Sequence, residues 1–223
     1  MSKTATLSGI AAILLACVPL LLLLSNLYLV ATPAFIRFEY GKPGFPPSTV
    51  YGSAERLSLA DSTLRYLRSG QGTREVAKLS SQGHAVYNER EVQHLADVKS
   101  VMRTAFLVHA VCLVLVLLAI ALAWRAGQRT LVLRAVYHGC QILLIALAAI
   151  GLLAYTSFDV FFTAFHRIFF SGDSWLFAYT DTLIQLFPVP FWMDATWALA
   201  LLAIVECVLV GGASYVLVRR RGK

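Results

Sequence analysis

Apolar side chains gather along this chain into four stretches from which polar residues nearly vanish: residues 7–30, 101–124, 131–155 and 195–218. Each matches the roughly 20 residues that a helix needs to cross a hydrocarbon core about 30 Å thick, where a helix satisfies its own backbone hydrogen bonds. Between the stretches the pattern changes. In residues 31–100, Leu57, Leu59, Leu64 and Leu67 predict one or two short helices closed by the turn Ser69-Gly70-Gln71-Gly72, whereas Pro43, Pro46 and Pro47 make residues 41–52 irregular. Residues 85–88 read as extended chain or turn. Asn88, with Glu89 and Glu91 behind it, is an N-cap signal for a helix that runs unbroken into the second apolar stretch. In residues 156–194, Phe158, Phe161, Phe162, Phe165, Phe169 and Phe170 recur at spacings of three and four, so a helix there presents one broad aromatic face with His166 on it.

The pattern predicts an all-α integral membrane protein with four transmembrane helices and a small extracytoplasmic cap. The spans are residues 1–30, 101–124, 131–155 and 195–218. Residues 31–100 form the cap and end in the His94 helix, 125–130 a cytoplasmic turn, 156–194 an extracytoplasmic aromatic segment, and 219–223 a basic cytoplasmic tail. Composition agrees: apolar side chains make up 58% of the chain and the mean hydropathy is +0.70, too apolar for a soluble domain. The first apolar run is longer than a signal peptide's and no small-x-small cleavage pattern follows it directly, so it reads as a retained span.

The net charge of +7 invites a nucleic-acid reading, but its distribution argues against one. Arg125, Arg129 and Arg134 sit in and just beyond the second turn, and Arg219, Arg220, Arg221 and Lys223 at the tail, with no acidic residue in either place; the His166 segment has Asp159, Asp173, Asp181 and Asp194 against Arg167. By the positive-inside rule the basic segments are cytoplasmic, both termini lie inside and His166 faces outward. The four cysteines, Cys17, Cys112, Cys140 and Cys207, fall one in each apolar run and read as small hydrophobes rather than a disulfide or zinc framework.

Two histidines stand out because the topology puts both on the outer face at membrane level. His166 has Phe162, Phe169 and Phe170 at helical neighbour positions, a setting that withholds water and keeps the imidazole neutral. His94 lies on a polar ridge with Arg90, Glu91 and Asp97 where its helix enters the bilayer. Two such rings can share acyl transfer, one taking a proton from the nucleophile and the other stabilising the carbonyl oxygen or protonating the leaving oxygen, with Asp97 or Glu91 fixing the tautomer of His94. Trp175, Tyr179, Trp192 and Trp197 together with the phenylalanines exceed what anchoring two helix ends requires and suggest an acyl-chain pocket. His84, His109 and His138 read as structural. A metal-dependent hydrolase using His94, Asp97 and His166 is the rival reading, although no His-Glu-x-x-His or cysteine cluster accompanies them, and no Gly-x-Ser-x-Gly supplies a nucleophile. A third reading, a non-enzymatic transport or assembly subunit, rests on Glu206 at bilayer depth.

The run Asn88-Glu89-Arg90-Glu91-Val92-Gln93-His94-Leu95-Ala96-Asp97-Val98-Lys99, then Phe161-Phe162-Thr163-Ala164-Phe165-His166-Arg167-Ile168-Phe169-Phe170, then Asp173-Ser174-Trp175, Asp181 and Leu186-Phe187-Pro188, resembles the bacterial lipoprotein intramolecular transacylase family. The likeness extends over the four-span layout and the cap; residues 42–82 offer little to compare. The resemblance implies an acyltransferase of the inner membrane. Its substrate is a lipoprotein whose N-terminal cysteine bears a diacylglyceryl group, and it moves the sn-2 acyl chain onto that cysteine's α-amine to give a lyso-form. It further implies that His94 and His166 are the catalytic pair and that a diacylated lipoprotein is the substrate; membrane lipid is the other expected partner, and no cofactor or metal is expected. Glu91, Asp97, Phe162, Phe165, Phe169, Asp173 and Trp175 are the residues expected to contact substrate or support the pair.

Overall fold

A computed structural model describes residues 3–221. In chain order its elements are α1 (Lys3–Ser25), α2 (Leu27–Val30), α3 (Pro33–Tyr40), α4 (Ser53–Arg68), α5 (Thr73–Ala77), β1 (Ser80–Ser81), β2 (His84–Ala85), α6 (Glu89–Arg125), α7 (Arg129–Thr156), α8 (Phe158–Phe169), α9 (Thr182–Leu186) and α10 (Val189–Arg221). The chain forms two compact units. One takes the residues up to Tyr28, Ala105–Thr156 and the residues from Ala198 onward; the other takes Leu29–Thr104 and Ser157–Trp197.

The first unit holds the most apolar part of each long helix. Four candidate spans are long and apolar enough to cross a membrane: Ala5–Val30, Glu89–Arg125, Arg129–Thr156 and Val189–Arg221. Its core is built from Leu14, Val18, Cys112, Val116, Ala119, Cys140, Leu143, Ala203 and Cys207, among others. Small residues let the helices approach closely. A Cβ at Gly139 would stand 3.2 Å from the Val18 Cβ, and one at Gly211 would stand 3.0 Å from the Cys140 Cβ, the small-residue packing that lipid-bathed helices favour. Gly211→Val is therefore expected to lower the melting temperature and the yield of folded protein, with Gly212→Val, whose Cβ position is open, as the control in the same thermal assay.

Two boundaries differ from the hydrophobic pattern. The first apolar run is two helices, broken at Asn26, because the Asn26 amide is drawn into side-chain bonds: its Nδ2 donates to Leu22 O at 3.0 Å and to Glu206 Oε2 at 3.1 Å. Glu206 is thus partnered across helices. The fourth long helix begins at Val189, ahead of the apolar run, since Pro190 sits in its first turn, where a missing N–H costs nothing.

The second unit has a core of its own, including Ile36, Leu59, Leu64, Tyr66, Val76, Tyr87, Leu95, Leu183, Leu186, Phe187 and Phe191. That core draws on residues 29–104 and residues 157–197 alike. The leucine-rich stretch is the single helix α4, and the strands β1 and β2 pair antiparallel around Gln82 and Gly83, both at positive φ (50° and 83°), as a tight two-residue hairpin requires.

Candidate active site

Both histidines belong to the second unit, and each is fixed by local chemistry. The start of α6 is a reciprocal capping box. The N–H of Glu91 donates to Asn88 Oδ1 at 3.0 Å while the N–H of Asn88 donates to Glu91 Oε2 at 2.9 Å. Glu91 is 2% exposed, and its other oxygen accepts from the Leu183 N–H at 2.8 Å, joining α6 to α9. One turn later stands His94. On α8 the alternation of aromatic and polar positions puts His166 on the buried side. Its Nδ1 lies 2.7 Å from the carbonyl oxygen of Phe162, one turn back. A carbonyl only accepts, so Nδ1 carries the proton and Nε2 presents a bare lone pair.

The two rings come together. Their centroids are 6.2 Å apart with planes inclined by 19°, and the residues are 8% and 9% exposed. Phe170, one residue past α8, packs on both, at 4.9 Å from His94 and 5.4 Å from His166. Phe162 (4.1 Å), Trp175 (4.8 Å) and Phe165 (5.6 Å) surround His166, and Phe177 meets His94 edge-on at 5.2 Å. Trp175 is held by its Nε1–H donating to Gly172 O at 3.1 Å.

This apolar cage sets the protonation states. The first turns of α6 carry Glu89, Arg90, Glu91, Asp97 and Lys99, so His94 lies ahead of the apolar stretch. Burial, with a smaller push from His166 and against the charge of Asp97, lowers its pKa to about 4. Burial likewise lowers that of His166, opposed by the Phe162 carbonyl. At neutral pH both rings are uncharged. His94, rather than His166, is the one held more firmly neutral, and its Nδ1 is buried without a hydrogen-bond partner, leaving Nε2 to meet a substrate.

The sign of the pH effect on stability follows. A folded-state pKa below the unfolded value of 6.5 means that the unfolded chain takes up protons first on acidification, so the contribution of His94 is complete above about pH 6.5 and drains as pH falls toward 4. The loss attributable to this ring is about 3 kcal/mol. His94→Phe is expected to flatten the fall in melting temperature between pH 7 and 4.5 relative to the unaltered protein; parallel curves would contradict it.

The structure separates the remaining sequence candidates. Phe162, Phe165 and Trp175 lie against His166. Phe169 instead packs on Phe165, one turn back on α8, at 4.8 Å and is 48% exposed. Asp173 is exposed in the turn before Trp175, accepting the Leu176 N–H at its backbone carbonyl. Neither carboxylate near His94 fixes its tautomer. Asp97 accepts from Gln93 Nε2 at 3.1 Å, and Glu91 is consumed by backbone N–H groups. Among the described residues no three His, Cys, Asp or Glu side chains converge as metal donors would.

Two residues absent from the sequence-derived set matter. Phe177 sits in an aperiodic stretch. Asp181 is a hub: it pairs with Arg90 at 2.9 Å, accepts from Asn88 Nδ2 at 3.2 Å and receives the Ala178 N–H at 2.7 Å. It thereby ties the chain that follows α8 to the start of the His94 helix. Its local signal was the Asp-Thr start of α9; its partners lie some ninety positions away in sequence.

Comparison with known proteins adds the chemistry. The family profile of the lipoprotein intramolecular transacylase Lit matches residues 11–192. An uncharacterized protein of Aquifex aeolicus (strain VF5) is 30% identical over 185 residues, 79% of each chain. The membrane-integral lipoprotein intramolecular transacylase Lit from Bacillus cereus superposes with a TM-score of 0.75 at 18% identity, covering 98% of this chain and 99% of that one. A histidine-to-alanine variant of that protein gives 0.68 at 17% identity over 98% and 96%. These likenesses show a shared four-span fold, and the profile match runs through α6 and α8 alike. The chain belongs to the lipoprotein intramolecular transacylase family and is a multi-pass membrane acyltransferase.

Proposed function

We propose that His94 and His166 carry the transacylation, His166 as the base that takes the amine proton and returns it to the leaving oxygen, and His94 as a hydrogen-bond donor. The reaction moves the sn-2 acyl chain of a diacylglyceryl-cysteine lipoprotein to the α-amine of the same cysteine. The observation that supports this most is the meeting of two buried, neutral imidazoles, far apart in sequence, at 6.2 Å. The free α-amine attacks the ester carbonyl, and Nε2 of His166 takes the N–H proton as the C–N bond forms. The tautomer set by Phe162 O leaves that nitrogen ready, and the same carbonyl stabilises the imidazolium. His94 donates to the carbonyl oxygen as negative charge builds there. Collapse breaks the C–O bond to the glyceryl unit, whose oxygen takes the proton that the amine lost. Nucleophile and ester share one molecule, so much of the barrier is met by alignment inside the cage of Phe162, Phe170 and Trp175, which also excludes water that would hydrolyse the ester.

The basic ends of the apolar helices support an orientation with both termini cytoplasmic and the histidine pair on the extracytoplasmic face of a bacterial inner membrane, in contact with bilayer lipid. The test is purified protein with a synthetic diacylglyceryl lipopeptide. The product has the mass of the substrate, so fragmentation must show the chain on nitrogen, and labelling of both termini from the outside of intact cells checks the orientation.

A further inference from the structure

An apolar groove of about 310 Å³ opens within the second unit, lined by Pro46, Phe177, Tyr179, Ile184, Pro188 and Val189. No charged residue lines it, and its prolines present no N–H that hydrocarbon would leave unpaired. Val189 and Tyr179 are 42% and 72% exposed, so its apolar wall is uncovered. The groove and the histidine pair share one side chain: Phe177 forms part of its lining and also meets the His94 ring at 5.2 Å. Phe177 is braced. The Arg90 guanidinium lies over its ring at 5.2 Å, and Arg90 is anchored by Asp181, which also grips the backbone one residue past Phe177.

We infer that this groove holds the hydrocarbon tail of the acyl chain being transferred, and that Ile184 and Val189 set the chain length it accepts. The inference rests on His94 and His166 as the reacting pair. The carbonyl under attack lies between the imidazoles, and its methylenes leave along an apolar path; the path beside His94 passes over Phe177 into the groove. The chain that stays on the glyceryl unit starts further from that carbonyl and has no such need. Phe177 acts as the partition that bends the chain away from the reacting centre, and Arg90 with Asp181 holds the partition upright.

The experiment uses the full-length protein in lipid nanodiscs and lipopeptides in which the sn-2 chain and the other glyceryl chain are varied independently from octanoyl to palmitoyl. Ile184→Trp and Val189→Trp fill the groove and are expected to lower turnover of the sn-2 palmitoyl substrate by about tenfold relative to the sn-2 octanoyl one, the scale on which an apolar pocket rejects a misfitting chain, with the ratio independent of the other glyceryl chain. Ile184→Ala and Val189→Ala, which only remove volume, should shift the preference toward longer or branched sn-2 chains, so a tryptophan variant that fails to fold does not decide the matter. Unchanged length preference across all four variants overturns the inference, as does a preference that shifts with the other chain. Either result leaves the histidine reading intact, because the octanoyl conversion is read in the same tubes; loss of that reading shows instead as full conversion by variants of His94 and His166.

Discussion

His166→Asn is expected to yield a folded, membrane-embedded protein whose conversion of a diacylglyceryl lipopeptide falls by roughly 10²- to 10⁴-fold, the range a general base contributes. Asparagine carries an amide N–H close to where Nδ1 stands, so it can still donate to Phe162 O and keep the side chain in place between Phe162 and Trp175. What it lacks is the lone pair at Nε2. The substitution thus separates proton transfer from packing, which His166→Ala would confound by opening a hole inside the cage. The companion change, His94→Phe, should lose activity on a similar scale while stability holds or rises, since it removes a buried Nδ1 without a partner and suits the rings of Phe170 and Phe177. Melting temperature and product fragmentation measured on the same preparations give the two readouts. Near-normal conversion by both variants would remove the pair from the mechanism.

The largest loss of stability is expected at Glu91, not at a histidine. Its two oxygens receive the N–H groups of Asn88, at the exposed start of α6, and of Leu183, which is buried, so Glu91→Ala leaves one buried donor without an acceptor and a second, part-buried one to water. At about 1–3 kcal/mol for the buried donor, and with the side-chain half of the capping box lost while Asn88 Oδ1 still accepts the residue-91 N–H, the cost is roughly 2–3 kcal/mol. Glu91→Gln keeps one acceptor oxygen and should lose less. Amide exchange locates the effect: protection should fall first at Asn88 and at Leu183, while the helices of the first unit keep theirs. A Glu91→Ala protein as stable as the unaltered one would show that the Leu183 N–H finds another acceptor.

Much of this was legible from the order of residues. The four spans announce themselves because lipid tolerates few polar groups, and α8 does so because phenylalanines at helical spacing, five within it and Phe170 just beyond, leave one register. Asn88 was readable as the N-cap of α6 because capping is local, acting within the first turn. What escaped shares one property: its cause lies far along the chain or in a stretch without period. Phe177 and Asp181 follow no repeat, and their roles come from contacts with Arg90 and His94. The charges at Glu91 and Asp97 looked like partners for His94 because helical spacing places them near it. Glu91 turned instead to a backbone N–H on α9, which local spacing cannot foresee. The break at Asn26 was hidden in the same way, its partner Glu206 lying on α10.

A site that keeps both imidazoles uncharged has no place to store what the substrate brings with it. An α-amine with a pKa of about 7.7–8.0 arrives largely as ammonium at neutral pH, whereas the amide and the alcohol that leave carry no charge. Each turnover on such a molecule must therefore release a hydrogen ion to bulk water. In weakly buffered solution the acidification should keep pace with product, so an indicator dye can follow the reaction continuously, and the signal should fade above pH 8.5, where the amine arrives already neutral.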